Sequence, residues 1–147
     1  MNKQNNYIIG VGSGGCNIVN NISKELSVST ILIQTQDDMK IIDTLKKKSY
    51  LICALGGNFG SQAILEIANA FKKSNISFDI IVTLPLTFEG KHRKTTAEET
   101  IKKLTLLDVK VHVVDSNMLL ANIDTEISMS DSFRIINNYI KDTITDA

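Results

Sequence analysis

Tyr7-Ile8-Ile9-Gly10-Val11-Gly12-Ser13-Gly14-Gly15-Cys16-Asn17-Ile18-Val19 joins an apolar run to a helical pattern through four glycines in six residues. Tyr7 to Val11 reads as a strand. Gly15 to Leu26 reads as a helix with Ile18, Val19, Ile22 and Leu26 on one stripe. Gly10, Gly12 and Gly15 satisfy G-x-G-x-x-G. Glycine lets the backbone turn with positive φ and lets phosphate oxygens approach the main chain. The helix behind it offers unpaired N–H groups and the positive end of its dipole. The motif alone also fits a tight turn. Its place between a strand and a helix favours a phosphate loop.

Working outward, strand and helix patterns alternate. Thr30 to Gln34 is a second strand and Asp37 to Lys47 a short helix with Met39, Ile42 and Leu45 inward. Tyr50 to Ala54 is a third strand, followed by a helix with Ile64, Ile67, Ala68 and Phe71 at i, i+3, i+4 and i+7. Phe78 to Leu84 is a fourth strand, Lys94 to Leu106 a helix, Val109 to Val114 a fifth strand, and Ser130 to Ile144 a last helix. The strands are continuous apolar runs, as expected when both faces of a parallel sheet are covered. The pattern predicts a three-layer, doubly wound, mostly parallel α/β fold of Rossmann type. One domain over residues 1–147 is expected, with a loose tail at 1–6.

Two further loops fall at strand ends. Gly56-Gly57-Asn58-Phe59-Gly60-Ser61 follows the third strand and opens a helix. With the first loop it can grip one polyphosphate from two sides. Ser61 either caps that helix or meets phosphate, capping being the better-founded choice. Pro85-Leu86-Thr87-Phe88-Glu89-Gly90-Lys91-His92-Arg93 follows the fourth strand and holds the only proline. Proline ends the ladder there. The loop thus carries a carboxylate and cations where open α/β sheets bind ligands.

Composition narrows the function classes. Sixteen basic and sixteen acidic residues cancel, so no global field argues for nucleic acid or a membrane surface. Lys46-Lys47-Lys48 reads as a solvated helix end. No apolar run approaches a membrane span. The polar start lacks a signal peptide's apolar core. Cys16 and Cys53 read as reduced core residues of a cytoplasmic protein, without metal-ligand spacing. Trp is absent and aromatics are 5 %, leaving few platforms for stacked bases.

A dinucleotide fold wants an acid at the end of the second strand. Here that end is Gln34-Thr35-Gln36, with Asp37 just beyond. An NAD(P)-binding oxidoreductase is therefore an alternative short of its usual acid. His112, on a strand, reads as structural rather than catalytic. The P-loop pattern G-x-x-x-x-G-K-[ST] is absent.

Ile9 to Asn20, Pro85 to Arg93 with Thr96-Ala97-Glu98-Glu99, and Asp131 to Asn137 together resemble the nucleotide loops and central helix of the tubulin/FtsZ family, in family order. Within it the chain resembles the N-terminal GTP-binding domain of FtsZ. The resemblance implies that Gly12, Ser13, Gly14 and Gly15, with Gly56, Gly57, Gly60 and Ser61 of the second loop, face phosphates. It implies that Asn17 reaches the guanine region and Glu89 accepts from ribose. Arg93 would sit near sugar and phosphates, Phe133 would stack on the base, and Asn137 would read the guanine edge. It implies GTP or GDP as ligand, with Mg2+ alongside GTP. The implied partner is a full-length FtsZ-like protein or a second copy of the chain, with no nucleic acid and no membrane insertion.

The departures shape the functional expectation. The second loop of FtsZ runs Gly-Gly-Gly-Thr-Gly-Thr-Gly; here it is Gly56-Gly57-Asn58-Phe59-Gly60-Ser61-Gln62. Phe59 puts a ring where a small hydroxyl is expected, against binding of a γ-phosphate. Ser116 stands where the family has Asn. The stretch from Asp38 to Tyr50 is too short for the family's extra helix and two further loops. The chain stops at Ala147, before the family's acidic catalytic loop and second domain. The expectation is a guanine-nucleotide-binding module without catalytic residues or autonomous GTPase activity, a partner or regulator in a filament or cell-division system. The alternative is a non-catalytic interaction protein on a relic fold that has lost the nucleotide.

Overall fold

The structure is a computed structural model that describes residues 6–26, 28–121 and 128–145. Five parallel strands form one sheet: β1 (Tyr7–Val11), β2 (Ser29–Ile33), β3 (Ser49–Ala54), β4 (Phe78–Thr83) and β5 (Val111–Val114), in the order β2-β1-β3-β4-β5. Helices α1 (Gly12–Ile22), α2 (Asn58–Lys73), α3 (Lys91–Leu106), α4 (Ser116–Leu120) and α5 (Met129–Thr145) complete the fold. The doubly wound α/β prediction holds, and the sheet is parallel throughout.

Alternate residues of the central strands feed two separate cores, because successive side chains point to opposite faces. Ile8, Tyr50, Ile52 and Ile81 pack beneath α1 and α5, meeting Ile18, Val19, Ile22, Ile136, Ile140 and Ile144. Ile9, Leu51, Cys53, Ile80 and Val82 pack on the other face against Ile64, Ile67 and Phe71 of α2 and Leu104 of α3. Burying strands on both faces is what their unbroken apolar character requires. Phe71 and Phe78 meet edge-on at 5.6 Å between ring centres, tying α2 to the start of β4.

β1 and β3 are neighbours, yet α1 leaves β1 for one face and α2 leaves β3 for the other. This reversal opens a crevice above the carboxyl ends of β1 and β3.

Element bounds differ from the sequence expectation in instructive places. The segment after β2 is a 3-10 turn over Asp37–Thr44, not an α-helix to Lys47. Asp38 Oδ2 accepts the N–H groups of Gln34 at 2.8 Å and Thr35 at 2.9 Å, which winds the chain tightly at its start. Ile42 and Leu45 are buried as expected. The three lysines lie beyond this turn, where Lys47 sits over the Tyr7 ring and Lys48 over the Tyr50 ring. β5 begins at Val111 rather than Val109, after Asp108 turns with a φ of 57°. Residues 1–5 of the expected tail lie outside the described residues, while Asn6 is buried. No described helix is long and apolar enough to cross a membrane.

Candidate functional site

The carboxyl ends of the strands and the loops above them enclose a cleft of about 700 Å³. Its floor is the junction of the two glycine loops. Gly12 begins α1 with a φ of 77°, and a Cβ built there would stand 3.0 Å from the Cα of Gly60. Glycine at Gly12 thus serves both a left-handed backbone and the close approach of α1 to α2. The N-termini of the two helices converge at this point, and neither has an acidic residue in its first turn. Both dipoles direct positive potential into the same end of the cleft.

The predicted nucleotide residues divide into two groups. Gly12, Ser13, Gly14, Asn17, Gly57, Gly60, Glu89, Arg93, Phe133 and Asn137 line the cleft. Gly15, Gly56 and Ser61 stand behind its wall. A Cβ at Gly15 would lie 2.3 Å from the Ile52 carbonyl oxygen, so its side of α1 is pressed onto β3. Gly56 has a φ of 113°, and a Cβ there would meet Arg93 and Pro85 at 3.1 Å. It lets the third loop close on the second. The Ser61 hydroxyl is buried and accepts the Gly56 N–H at 3.3 Å, which fixes the turn between β3 and α2.

Gly57 differs from these. Its φ is −81°, and a Cβ there would meet nothing within 4 Å. Nothing within the described protein requires glycine at this position, and it borders the cleft.

The Pro85–Arg93 loop forms the opposite wall. One Glu89 oxygen accepts the Leu86 N–H at 2.7 Å, and the other faces Arg93 at 3.7 Å. The carboxylate is thereby aimed and half-neutralised within one short turn. Asn117, at the start of α4, holds this loop from outside. Its Oδ1 accepts from Thr87 N–H at 3.0 Å and from the Thr87 hydroxyl at 2.9 Å, and its Nδ2 donates to the Pro85 carbonyl at 3.1 Å. Asp115 caps α4 by accepting the N–H groups of Asn117 and Met118. The Asp115-Ser116-Asn117 run is the signal for such a cap. The contact from Asn117 back to a loop thirty residues earlier had no sequence signal.

Phe133, half exposed, and Asn137 project from α5 along with Ile136, while Asn21 and Gln34 close the remaining side. This end is an apolar face edged by amides, able to stack a flat heterocycle and satisfy its polar edge. Gln34 is the β2-end side chain that reaches the cleft, and Asp38 is committed to its turn. The dinucleotide alternative therefore lacks its ribose acid.

Phe59 is partly buried, packs against the α2 core and also borders the cleft. Cys16 and Cys53 are both free and buried. Burial pushes the Cys53 thiol up to about 12 and raises that of Cys16, so both stay protonated and unreactive. Among the described residues, no group of three or more His, Cys, Asp or Glu could hold a metal ion. The one carboxylate among the described lining residues already meets the Leu86 N–H and Arg93, so these residues do not fit a protein-held Mg2+.

The chain is similar in sequence and in fold to known proteins. Cell division protein FtsZ 1 of Pyrococcus abyssi is 30 % identical over 156 aligned residues, covering 78 % of this chain and 42 % of its own. The chain is an FtsZ-like domain of the tubulin family. The FtsZ dimer of M. jannaschii, in its empty form, superposes with a TM-score of 0.80 at 16 % identity, over 97 % of this chain and 53 % of that one. CetZ1 of Haloferax volcanii, a GDP-bound monomer, gives 0.72 at 14 % identity, over 93 % of this chain and 58 % of that one. No protein-family model matches the chain. The FtsZ-like domain spans less than half the length of the curated relatives it matches.

Proposed function

We propose that this FtsZ-like domain binds a guanine nucleotide in the cleft, does not hydrolyse it alone, and acts in the cytoplasm as a partner or regulator of a filament or cell-division system. The observation that carries the reading is the joining of three distant loops around one cleft. Gly12 stands close against Gly60 where the two helix N-termini converge, and Glu89, Arg93, Phe133 and Asn137 line the same cleft. Such a cleft offers main-chain donors, one carboxylate for a sugar hydroxyl, and a ring with an amide for a base. Its only carboxylate among the described lining residues already accepts from the Leu86 N–H and faces Arg93, which supports a role in orienting a sugar hydroxyl rather than in activating water. The family likeness also supports the nucleotide, the partner role and the cytoplasmic setting.

Calorimetric titration with GDP and GTP tests the reading. Heat is expected with at least one of them. At a hundredfold excess over the dissociation constant, ligand should add about 2.7 kcal/mol to stability. A folded protein that gives no heat and no shift in melting temperature with either would refute it. Phe59 favours one competing reading, a relic fold used only for protein contacts, because this apolar side chain borders the cleft in the first turn of α2. That reading predicts such thermal silence.

A further inference from the structure

The charge balance of the cleft bears on which nucleotide it can hold, a question that rests on the guanine-nucleotide reading. Among the described lining residues, Glu89 and Arg93 are the only charged ones, and they face each other at 3.7 Å. These described side chains therefore contribute no net charge. No described lysine lines the cleft. Positive potential there comes from the N-termini of α1 and α2, each equivalent to roughly half an elementary charge. Each added phosphate brings a further negative charge that must shed water, and an unpartnered charge is costly to desolvate. Phe59, in the first turn of α2, presents an apolar ring at the same end. The open position at Gly57 admits a phosphate to the main chain, but Asn58 and Phe59 follow it directly. A divalent cation could offset a third phosphate, yet the one carboxylate among the described lining residues already meets the Leu86 N–H and Arg93.

We infer that the cleft selects a guanosine nucleotide with no more than two phosphates and binds it without a divalent cation. The two helix N-termini balance part of a diphosphate. They leave a third phosphate without a partner.

The test is calorimetry of the whole chain with GMP, GDP and GTP, each in EDTA and in excess MgCl2. GDP is expected to bind about tenfold more tightly than GTP in EDTA, a gap of about 1.4 kcal/mol. Magnesium is expected to leave the GDP affinity within about twofold. GTP binding as tightly as GDP, or GDP binding only with Mg2+, would overturn the inference while leaving guanine-nucleotide binding intact. Silence with all three nucleotides would remove both. Glu89→Gln keeps an acceptor for the Leu86 N–H and releases Arg93 from its ion pair. In that variant, confirmed as folded by circular dichroism, the gap between GDP and GTP should narrow. An unchanged gap would show that the wall charges do not set the preference.

Discussion

The two glycine junctions look alike in sequence and differ in what their glycines are for. In the β1–α1 junction, glycine is imposed by packing. A Cβ at Gly10, Gly14 or Gly15 would come within 2.8, 2.5 and 2.3 Å of Cys16, Ala54 and Ile52 atoms. In the β3–α2 junction, Gly56 is fixed by its positive φ, but Gly57 has ordinary backbone and open space. A run of glycines therefore does not by itself mark a ligand. It marks one only where the protein has no other use for the missing side chain, and Gly57 is the position that meets this condition beside the cleft.

Substitutions can break this contrast. The largest effect is expected at Gly15→Ala, where the new methyl would press on the Ile52 carbonyl and the sheet cannot yield. A loss of about 3 kcal/mol in urea unfolding is expected from such overpacking. A loss under about 1 kcal/mol would mean that the junction is looser than its geometry implies. Ser61→Ala comes next, since it strips the buried Gly56 N–H of its acceptor. It should cost about 1–2 kcal/mol of stability. If it instead left stability intact and abolished nucleotide binding, the hydroxyl would belong to the ligand after all.

Gly57→Ala should hardly touch stability, changing it by less than about 0.5 kcal/mol or raising it slightly. The same change should weaken GDP about tenfold, by about 1.4 kcal/mol, because its methyl stands where phosphate would meet the main chain. Unaltered affinity would return Gly57 to the status of a plain loop residue. The smallest effect concerns pH. Hydrogen bonds from the Gln34 and Thr35 N–H groups hold the Asp38 carboxyl below its usual range. Its contribution is present above the ordinary carboxylate value near about 4 and is lost as pH falls through the lowered one. Asp38→Asn should slightly flatten the acid limb of the melting-temperature profile.

Much of the fold was legible because the strands are apolar runs and the helices carry clear stripes. The misses follow from interactions that have no period. The 3-10 turn after β2 is set by one carboxylate reaching back to two N–H groups. The first helix begins three residues early because Gly12 takes a left-handed φ and turns straight into it. Short α4 was missed because five residues cannot show a helical repeat.

The candidate site shows the same division. The sequence by itself determined which residue types were available: glycines after β1 and β3, Glu89 and Arg93 after β4, Phe133 and Asn137 on α5. It also determined the alternation of elements that brings every strand's carboxyl end to one edge, since parallel strands joined by helices leave no other arrangement. Tertiary structure decided which of those residues face the cleft. Gly15, Gly56 and Ser61 turn away because the wall itself needs them, Gln34 borders the cleft at the end of β2, and Asn117 braces the Pro85–Arg93 loop from outside through contacts thirty residues apart. Local spacing specifies a backbone turn. Only packing specifies which side of that turn is left open to a ligand.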